Sequence, residues 1–390
     1  MLLWNMPMIR SMFGKDSEGH NMTYVINDLL AVMLDAKASD LYLSIATYPL
    51  LKMGSKTLPI EKEKLDMATL NSLLHEMLSE EQVAVLEKNR ELDFTISRTN
   101  LGRFRVNAFY QRGTVAFVLR RITGKIQSLD DLSMPSLLKE LILVKRGLIL
   151  VVGATGSGKS TTMAAMVDHR NKNSYSHILT LEDPVEYLHS HAKSIVNQRE
   201  IGQDTETYAN ALRSALRQAP DLLLIGEIRD RETMSAALNF AETGHLVLST
   251  LHANNAYQTL QRIMSFFPQE YHPTLQLQLS LNLKAVVGQR LIPSFDGGRV
   301  PALEIMLSSS RIRDLIHNGD IEAIRGAMQM STHEGMQTFD QALYELADAG
   351  KISMDDAIQY ADRATDLRLL FQSEKDGSLR VDDTIELDEK

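Results

Sequence analysis

The residues Gly153, Ala154, Thr155, Gly156, Ser157, Gly158, Lys159, Ser160 and Thr161 read GATGSGKST and fit the spacing G-x-x-x-x-G-K-[ST]. That pattern handles phosphate. Its glycines let the backbone turn so that successive N–H groups face an anion. A helix opening at the same point adds the positive end of its dipole. Lys159 can reach β- and γ-phosphates, and Ser160 can ligate Mg²⁺.

Carboxylates follow at intervals that suit the same chemistry. TLEDPVEYLH holds Glu182, Asp183 and Glu186 around Pro184. Alone, such a cluster is a solvated loop. Beside a phosphate loop, carboxylates orient magnesium waters and take a proton from an attacking water. DLLLIGEI poses a question, because the place where a nucleotide hydrolase commonly carries a magnesium-holding aspartate is Gly226, with Glu227 next. Glu227 can serve a metal directly or through water. His245 and His252 bracket a further apolar run, and His252 stands at its outgoing end. Arginines are a third element: Arg199, Arg213 and Arg217 in one segment, and Arg103, Arg105 and Arg112 near the start of the chain. Arg213 and Arg217, four apart, would share a helix face. Surface ion pairs are the ordinary use of such residues, but phosphoryl transfer often takes an arginine from a neighbouring subunit.

These residues need a frame that brings them together. From about Gly124, apolar strand runs alternate with helices: GLILVVG, TTMAAMVDHRN, HILTLED, YANALRSALRQ, DLLLIGE, RETMSAALNFAETG and HLVLST. Continuous apolar strands alternating with helices indicate an α/β domain with a parallel sheet covered on both faces. In such a sheet, ligands bind beyond the carboxyl ends of the strands. Beyond about Pro268, helices are expected to dominate, LQLQLSLNLKAVVGQRL among them. Residues 23–123 mix helical spacing (TYVINDLLAVMLDA) with short β-rich runs, which predicts a smaller α+β domain with an antiparallel sheet. Residues 1–22 read as a mobile extension, 124–135 as a linker, 136–363 as the larger domain and 364–390 as an acidic, disordered tail.

Composition narrows the classes. A net charge of −9 over 390 residues gives no general basic footprint, so nucleic acid is not the expected partner. The absence of cysteine excludes disulfides and thiolate zinc sites and fits a reducing cytoplasm. No apolar run approaches the roughly 20 residues that a membrane-spanning helix requires.

The order GATGSGKST, LTLEDPVEYLH, NQREIGQDTETYANALRSALRQAPD, LLLIGE and AETGHLVLSTLHAN resembles the secretion-ATPase superfamily. Within it, the chain is most similar to the type IV pilus retraction ATPases, the PilT/PilU family, over about residues 23–361. The resemblance implies a RecA-like P-loop domain preceded by a PAS-like domain, with ATP and Mg²⁺ as cofactors. It makes Glu186 the catalytic base, Glu227 the magnesium-associated acid and His252 a contact to the γ-phosphate region. Gly226–Glu227 then becomes a family trait. It further implies a cytoplasmic homohexamer, peripheral at a bacterial inner membrane, which drives or assists pilus retraction in twitching motility. Its partners would be an inner-membrane pilus platform protein and a PilT-like retraction ATPase. RIRDLI at Arg311–Ile316, where PilT-type members carry AIRNLI, and the acidic tail both resemble the PilU branch. Two readings stay open beside this one: a DNA-translocating RecA-type motor, and a ring subunit that hydrolyses ATP feebly and works only with a partner ATPase.

Overall fold

Short half-apolar runs before residue 125 and continuous apolar runs after it build two sheets of opposite kind. The computed structural model describes residues 24–381 except 55, 61–62 and 123–125, with side chains described as far as residue 372. The expected extension at residues 1–22 and the last residues of the expected tail lie outside this range. The chain separates into two compact units at residues 125 and 126.

The first unit is α+β. In chain order it contains α1 (Ile26–Asp35), β1 (Asp40–Leu43), β2 (Leu50–Met53), β3 (Lys56–Pro59), α2 (Met67–Met77), α3 (Glu80–Asn89), β4 (Glu91–Arg98), β5 (Gly102–Gln111) and β6 (Thr114–Ile122). The strands form an antiparallel sheet in the order β3-β2-β1-β6-β5-β4. The long helical stretch breaks into two because Ser79 caps α3 in a reciprocal capping box with Gln82. Phe104, Val106 and Ala108 of β5 point into the core, so their neighbours Arg103 and Arg105 occupy the other face.

The second unit is the α/β domain. It begins with α4 (Leu137–Leu141), β7 (Gly147–Val152), α5 (Lys159–Asn173), β8 (His177–Glu182), β9 (Ile195–Glu200), α6 (Tyr208–Ala215) and β10 (Leu222–Ile225). It continues with α7 (Arg231–Glu242), β11 (Leu246–Leu251), α8 (Ala256–Ser265), α9 (His272–Asn282), β12 (Leu283–Pro293) and β13 (Arg299–Leu307). The last helices are α10 (Ser310–Asn318), α11 (Ile324–Met330), α12 (Phe339–Asp348), α13 (Met354–Tyr360) and α14 (Ala364–Val381). The sheet order is β13-β12-β7-β11-β10-β8-β9, parallel except for β13. Leu148, Leu150 and Val152 of β7 face a core shared with α7 and α8, while Ile149 and Val151 face α4 and α5. Burial on both faces is why these strands read as unbroken apolar runs.

Three expectations are corrected. LKAVVGQRLIP is strand β12, parallel to β7, and only the residues before it are helical. The β-branched pair Val286–Val287 lies beside the central strand, where pairing outweighs helical spacing. Arg217 lies in a 3₁₀ turn, Leu216–Gln218, so the α-helical register that would align it with Arg213 stops at Ala215. Helix α14 occupies much of the expected disordered tail. Its Leu367 and Phe371, one turn apart, enter a core with Phe339 and Leu343, so this part has apolar surface to bury despite the acidic residues further on. No helix among the described residues is long and apolar enough to cross a membrane.

Candidate active site

The phosphate loop joins β7 to α5. Gly153, Gly156 and Gly158 have φ of +149°, +80° and +88°, values that side-chain-bearing residues rarely adopt. Space matters as well as φ. A Cβ on Gly153 would stand 2.4 Å from the Gln289 carbonyl oxygen, and one on Gly158 would stand 2.8 Å from Gln289 Nε2. Helix α5 begins without a side-chain cap, so its first N–H groups have no intrahelical partner. Among the described residues, Ser157 Oγ is buried with no hydrogen-bond partner. An uncapped helix start, an orphaned hydroxyl and a lysine at one loop fit a polyphosphate. Lys159 Nζ donates to the carbonyls of Gly153 and Ala154, both at 2.9 Å. Burial lowers its pKa, and the nearby charges of Glu227 and Glu186 oppose that shift.

The carboxylates come from the neighbouring strand ends. Glu182 closes β8 and is held there: its Oε1 accepts from Thr180 Oγ1 at 2.7 Å and from Gln198 Nε2 at 3.3 Å. Burial raises its pKa. The following loop, which carries exposed Glu186, is pinned to β9. Gln198 donates to the Tyr187 carbonyl at 2.7 Å and accepts from the His189 N–H at 2.8 Å, and buried Glu200 accepts from the Val185 N–H at 3.0 Å. The Tyr187 and Thr161 hydroxyls lie 2.8 Å apart, which links this loop to α5.

The glycine after β10 has a physical reason. A Cβ on Gly226 would stand 3.2 Å from the Tyr208 hydroxyl and 3.3 Å from the Leu181 carbonyl, so the position is crowded. Glu227 projects into the site instead. Its Oε2 accepts from Arg229 Nε at 2.6 Å, and its Oε1 lies 3.1 Å from His252 Nε2. Two cavities flank the phosphate loop. One, of about 430 Å³, lies between Gly153–Ala154 and the segment after β11, with His252, Asn254 and Arg262 in its wall. The other, of about 520 Å³, runs past Gly158 and Thr161 and is lined by Leu132, Met134, Leu291 and Arg299.

The structure thus brings Lys159, Glu182, Glu186, Glu227 and His252 to one end of the sheet. Each of the six expected arginines has its own local setting. Arg199, on β9, donates to the Asp204 carbonyl at 3.0 Å. Exposed Arg213 donates to Asn210 Oδ1 at 2.7 Å, and exposed Arg217 reaches Ser214 Oγ at 3.5 Å. In the first unit, Arg103 donates to Thr95 Oγ1 at 2.9 Å, Arg105 lies 3.8 Å from Asp93, and Arg112 is exposed at the β5–β6 turn with φ +48°. His245 accompanies Phe240 edge-on, a structural use.

Sequence reasoning missed Arg229, Tyr208 and Gln289. Arg229 carried a signal, standing two residues after Glu227. Gln289 carried another, a lone amide inside the apolar run AVVGQRL.

Comparison with known proteins places this geometry. The family described as type II/IV secretion system protein matches residues 21–355. The chain belongs to this secretion family. It is 48% identical over 345 residues to the type IV pilus ATPase PilU of Pseudomonas aeruginosa, covering 88% of the chain and 90% of that protein. To the type IV pilus retraction ATPase PilT of the same organism it is 41% identical over 336 residues, covering 86% and 98%. The crystal structure of the pilus retraction motor PilT with bound ADP superposes with a TM-score of 0.82 at 40% identity, covering 87% of the chain and 98% of that structure. The ATPase DotB of Legionella pneumophila follows at 0.70 and 27%, covering 85% and 94%. This member of the secretion family is accordingly a nucleotide-binding P-loop ATPase, as its motifs imply.

Proposed function

We propose that the chain is the subunit of a ring-shaped ATPase motor that drives or assists retraction of type IV pili. The observation that carries this reading is the convergence of Lys159, Glu186, Glu227 and His252 at one sheet end, in a chain 48% and 41% identical to two type IV pilus ATPases. The residues Gly153 to Thr161 cradle the phosphates, and Lys159 leaves its carbonyl partners to neutralise them. The cavity lined by Leu132, Met134 and Leu291 suits the nucleoside. Exposed Glu186 is the general base, since its carboxylate is open to an attacking water. Half-buried Glu182, with its Oε1 taken by Thr180 and Gln198, is less accessible to that water. His252 reads the γ-phosphate side.

Among the described residues no group of three or more His, Asp or Glu forms a metal cage. That fits Mg²⁺, which usually takes one or two protein ligands and completes its shell with water and phosphate oxygens. Ser160 and Glu227 would hold it, with Glu182 as the further candidate. When bound, the ion neutralises phosphate charge and orients water.

The assembly proposed is a homohexamer at the cytoplasmic face of the inner membrane, working on a pilus platform protein and alongside a PilT-like ATPase. Arginines complete the site between subunits, with Arg103, Arg105 and Arg112 the first candidates and Arg199, Arg213 and Arg217 the others. Arg112 is exposed at the hairpin between β5 and β6, which supports its candidacy. The test is ATP turnover together with mass in solution, with and without nucleotide. A ring that hydrolyses ATP is expected, and a chain that binds no nucleotide would overturn the reading. Mixed rings test the arginines. Glu186→Gln subunits combined with Arg112→Ala subunits should regain activity, because some interfaces pair a normal base with a normal arginine. No recovery, for Arg112 or for the other candidates, removes them from the neighbour's site.

A further inference from the structure

Strand β12 runs beside β7 with Gly288 opposite Val152, so the next residue, Gln289, flanks the first glycine of the phosphate loop. Gln289 is 2% exposed. Its Oε1 accepts a 2.7 Å hydrogen bond from Thr162 Oγ1, itself fully buried in the first turn of α5. Its carbonyl oxygen lies 2.4 Å from where a Cβ on Gly153 would stand, and its Nε2 lies 2.8 Å from where one on Gly158 would stand. One residue therefore touches the phosphate loop at its start, at its end and on the helix that follows.

We propose that Gln289 is a positioning residue for ATP turnover, holding the phosphate loop and the first turn of α5 in the geometry that aims their N–H groups at the phosphates. It acts through Thr162 and the two glycines. The chemistry favours a specific role over filling. A buried amide in an apolar strand costs stability unless it is bonded, and its bond goes to the helix that carries Lys159 and Ser160. A strand built for packing alone would carry leucine there. Because the loop presents several N–H groups at once, a small tilt of α5 weakens all of them together. The proposal rests on the phosphate-loop reading, and ADP binding by the wild-type chain tests that reading separately.

The experiment uses the full-length chain and measures the Kd for ADP, kcat and KM for ATP, and the melting temperature without nucleotide. Gln289→Leu keeps the volume and removes the bond. Thr162→Val removes it from the other side, and Thr162→Ser keeps the hydroxyl. Gln289→Leu and Thr162→Val should each weaken ADP about tenfold, as expected for a lost buried hydrogen bond. The double variant should be no weaker than either single one, and Thr162→Ser should restore tight binding. A fall in melting temperature with unchanged Kd, kcat and KM would show that Gln289 only fills space. Additive losses in the double variant would show that the two residues do not act through their shared bond. Either result overturns the proposal.

Discussion

Arg229 donates through Nε to Oε2 of Glu227 across 2.6 Å, from two residues further along the same loop. That bond raises the pKa of Arg229, so the guanidinium stays charged. With His252 on the other oxygen, the Glu227 carboxylate has one orientation rather than several. Outer partners of this kind are typically worth ~10–100-fold in metal affinity or activity. Arg229→Ala should therefore lower kcat by about tenfold and raise the Mg²⁺ concentration for half-maximal turnover. Arg229→Lys, which keeps the charge and loses the planar fork, should fall between. A Mg²⁺ titration identical to wild type would show that Glu227 needs no such support.

Lys159 and Glu186 should fail in different ways. Lys159→Ala removes the cation at the phosphates and should abolish turnover without lowering the melting temperature. Glu186→Gln keeps shape and hydrogen bonding but cannot take a proton, so ATP should bind while kcat falls by roughly 10²–10⁴. Glu182→Gln should cost less in chemistry, because its Oε1 is already taken by Thr180 and Gln198 at the end of β8 and Gln keeps that acceptor. Normal hydrolysis by Glu186→Gln would move the base to Glu182.

Gly226 answers why no aspartate stands at the end of β10. Its Cβ would crowd Tyr208 and the backbone of β8. Gly226→Ala should destabilise by ~1–3 kcal/mol through overpacking, and Gly226→Asp by more. Tyr208→Phe, which removes the nearest atom, should recover part of the Gly226→Ala loss. Denaturant unfolding of the two single variants and the double one measures the coupling. Simple additivity would show that Tyr208 is not the obstacle.

Much of the site was legible because its chemistry is local. Gly153 to Thr161 lie in one run, and Glu182, Glu186, Glu227 and His252 each follow an apolar strand run, so parallel topology alone assembles them. What stayed hidden depends on pairing across the chain. Gln289 meets Thr162 over a separation of 127 residues, and only the β7–β12 register brings them together. Tyr208 reaches Gly226 from the start of α6, a contact that helical spacing does not specify. Strand β12 is expected as helix because no glycine or proline stands at Asn282–Leu283, where α9 gives way to the strand. The order of the sheet decided the matter.

The last expectation concerns Glu304, on β13 and 5% exposed. Its Oε2 accepts the Ala256 N–H at 2.5 Å, at the start of the helix that follows the His252 segment. Burial pushes its pKa up to about 7, and the charge of Asp362 pushes the same way, while the Ala256 N–H, Arg290 and Arg325 oppose both. A carboxyl whose folded pKa is raised binds its proton more tightly in the folded chain. Its contribution is full below the ordinary carboxylate range and is lost as pH rises through about 7. Glu304→Gln replaces the titrating group by a neutral one of the same shape. Wild type should therefore lose stability relative to Glu304→Gln between pH 5 and pH 8, by ~1–3 kcal/mol. Urea unfolding of both proteins across that range measures the difference. Parallel pH profiles would show that Glu304 ionises in the folded chain as it does in water, whatever its burial.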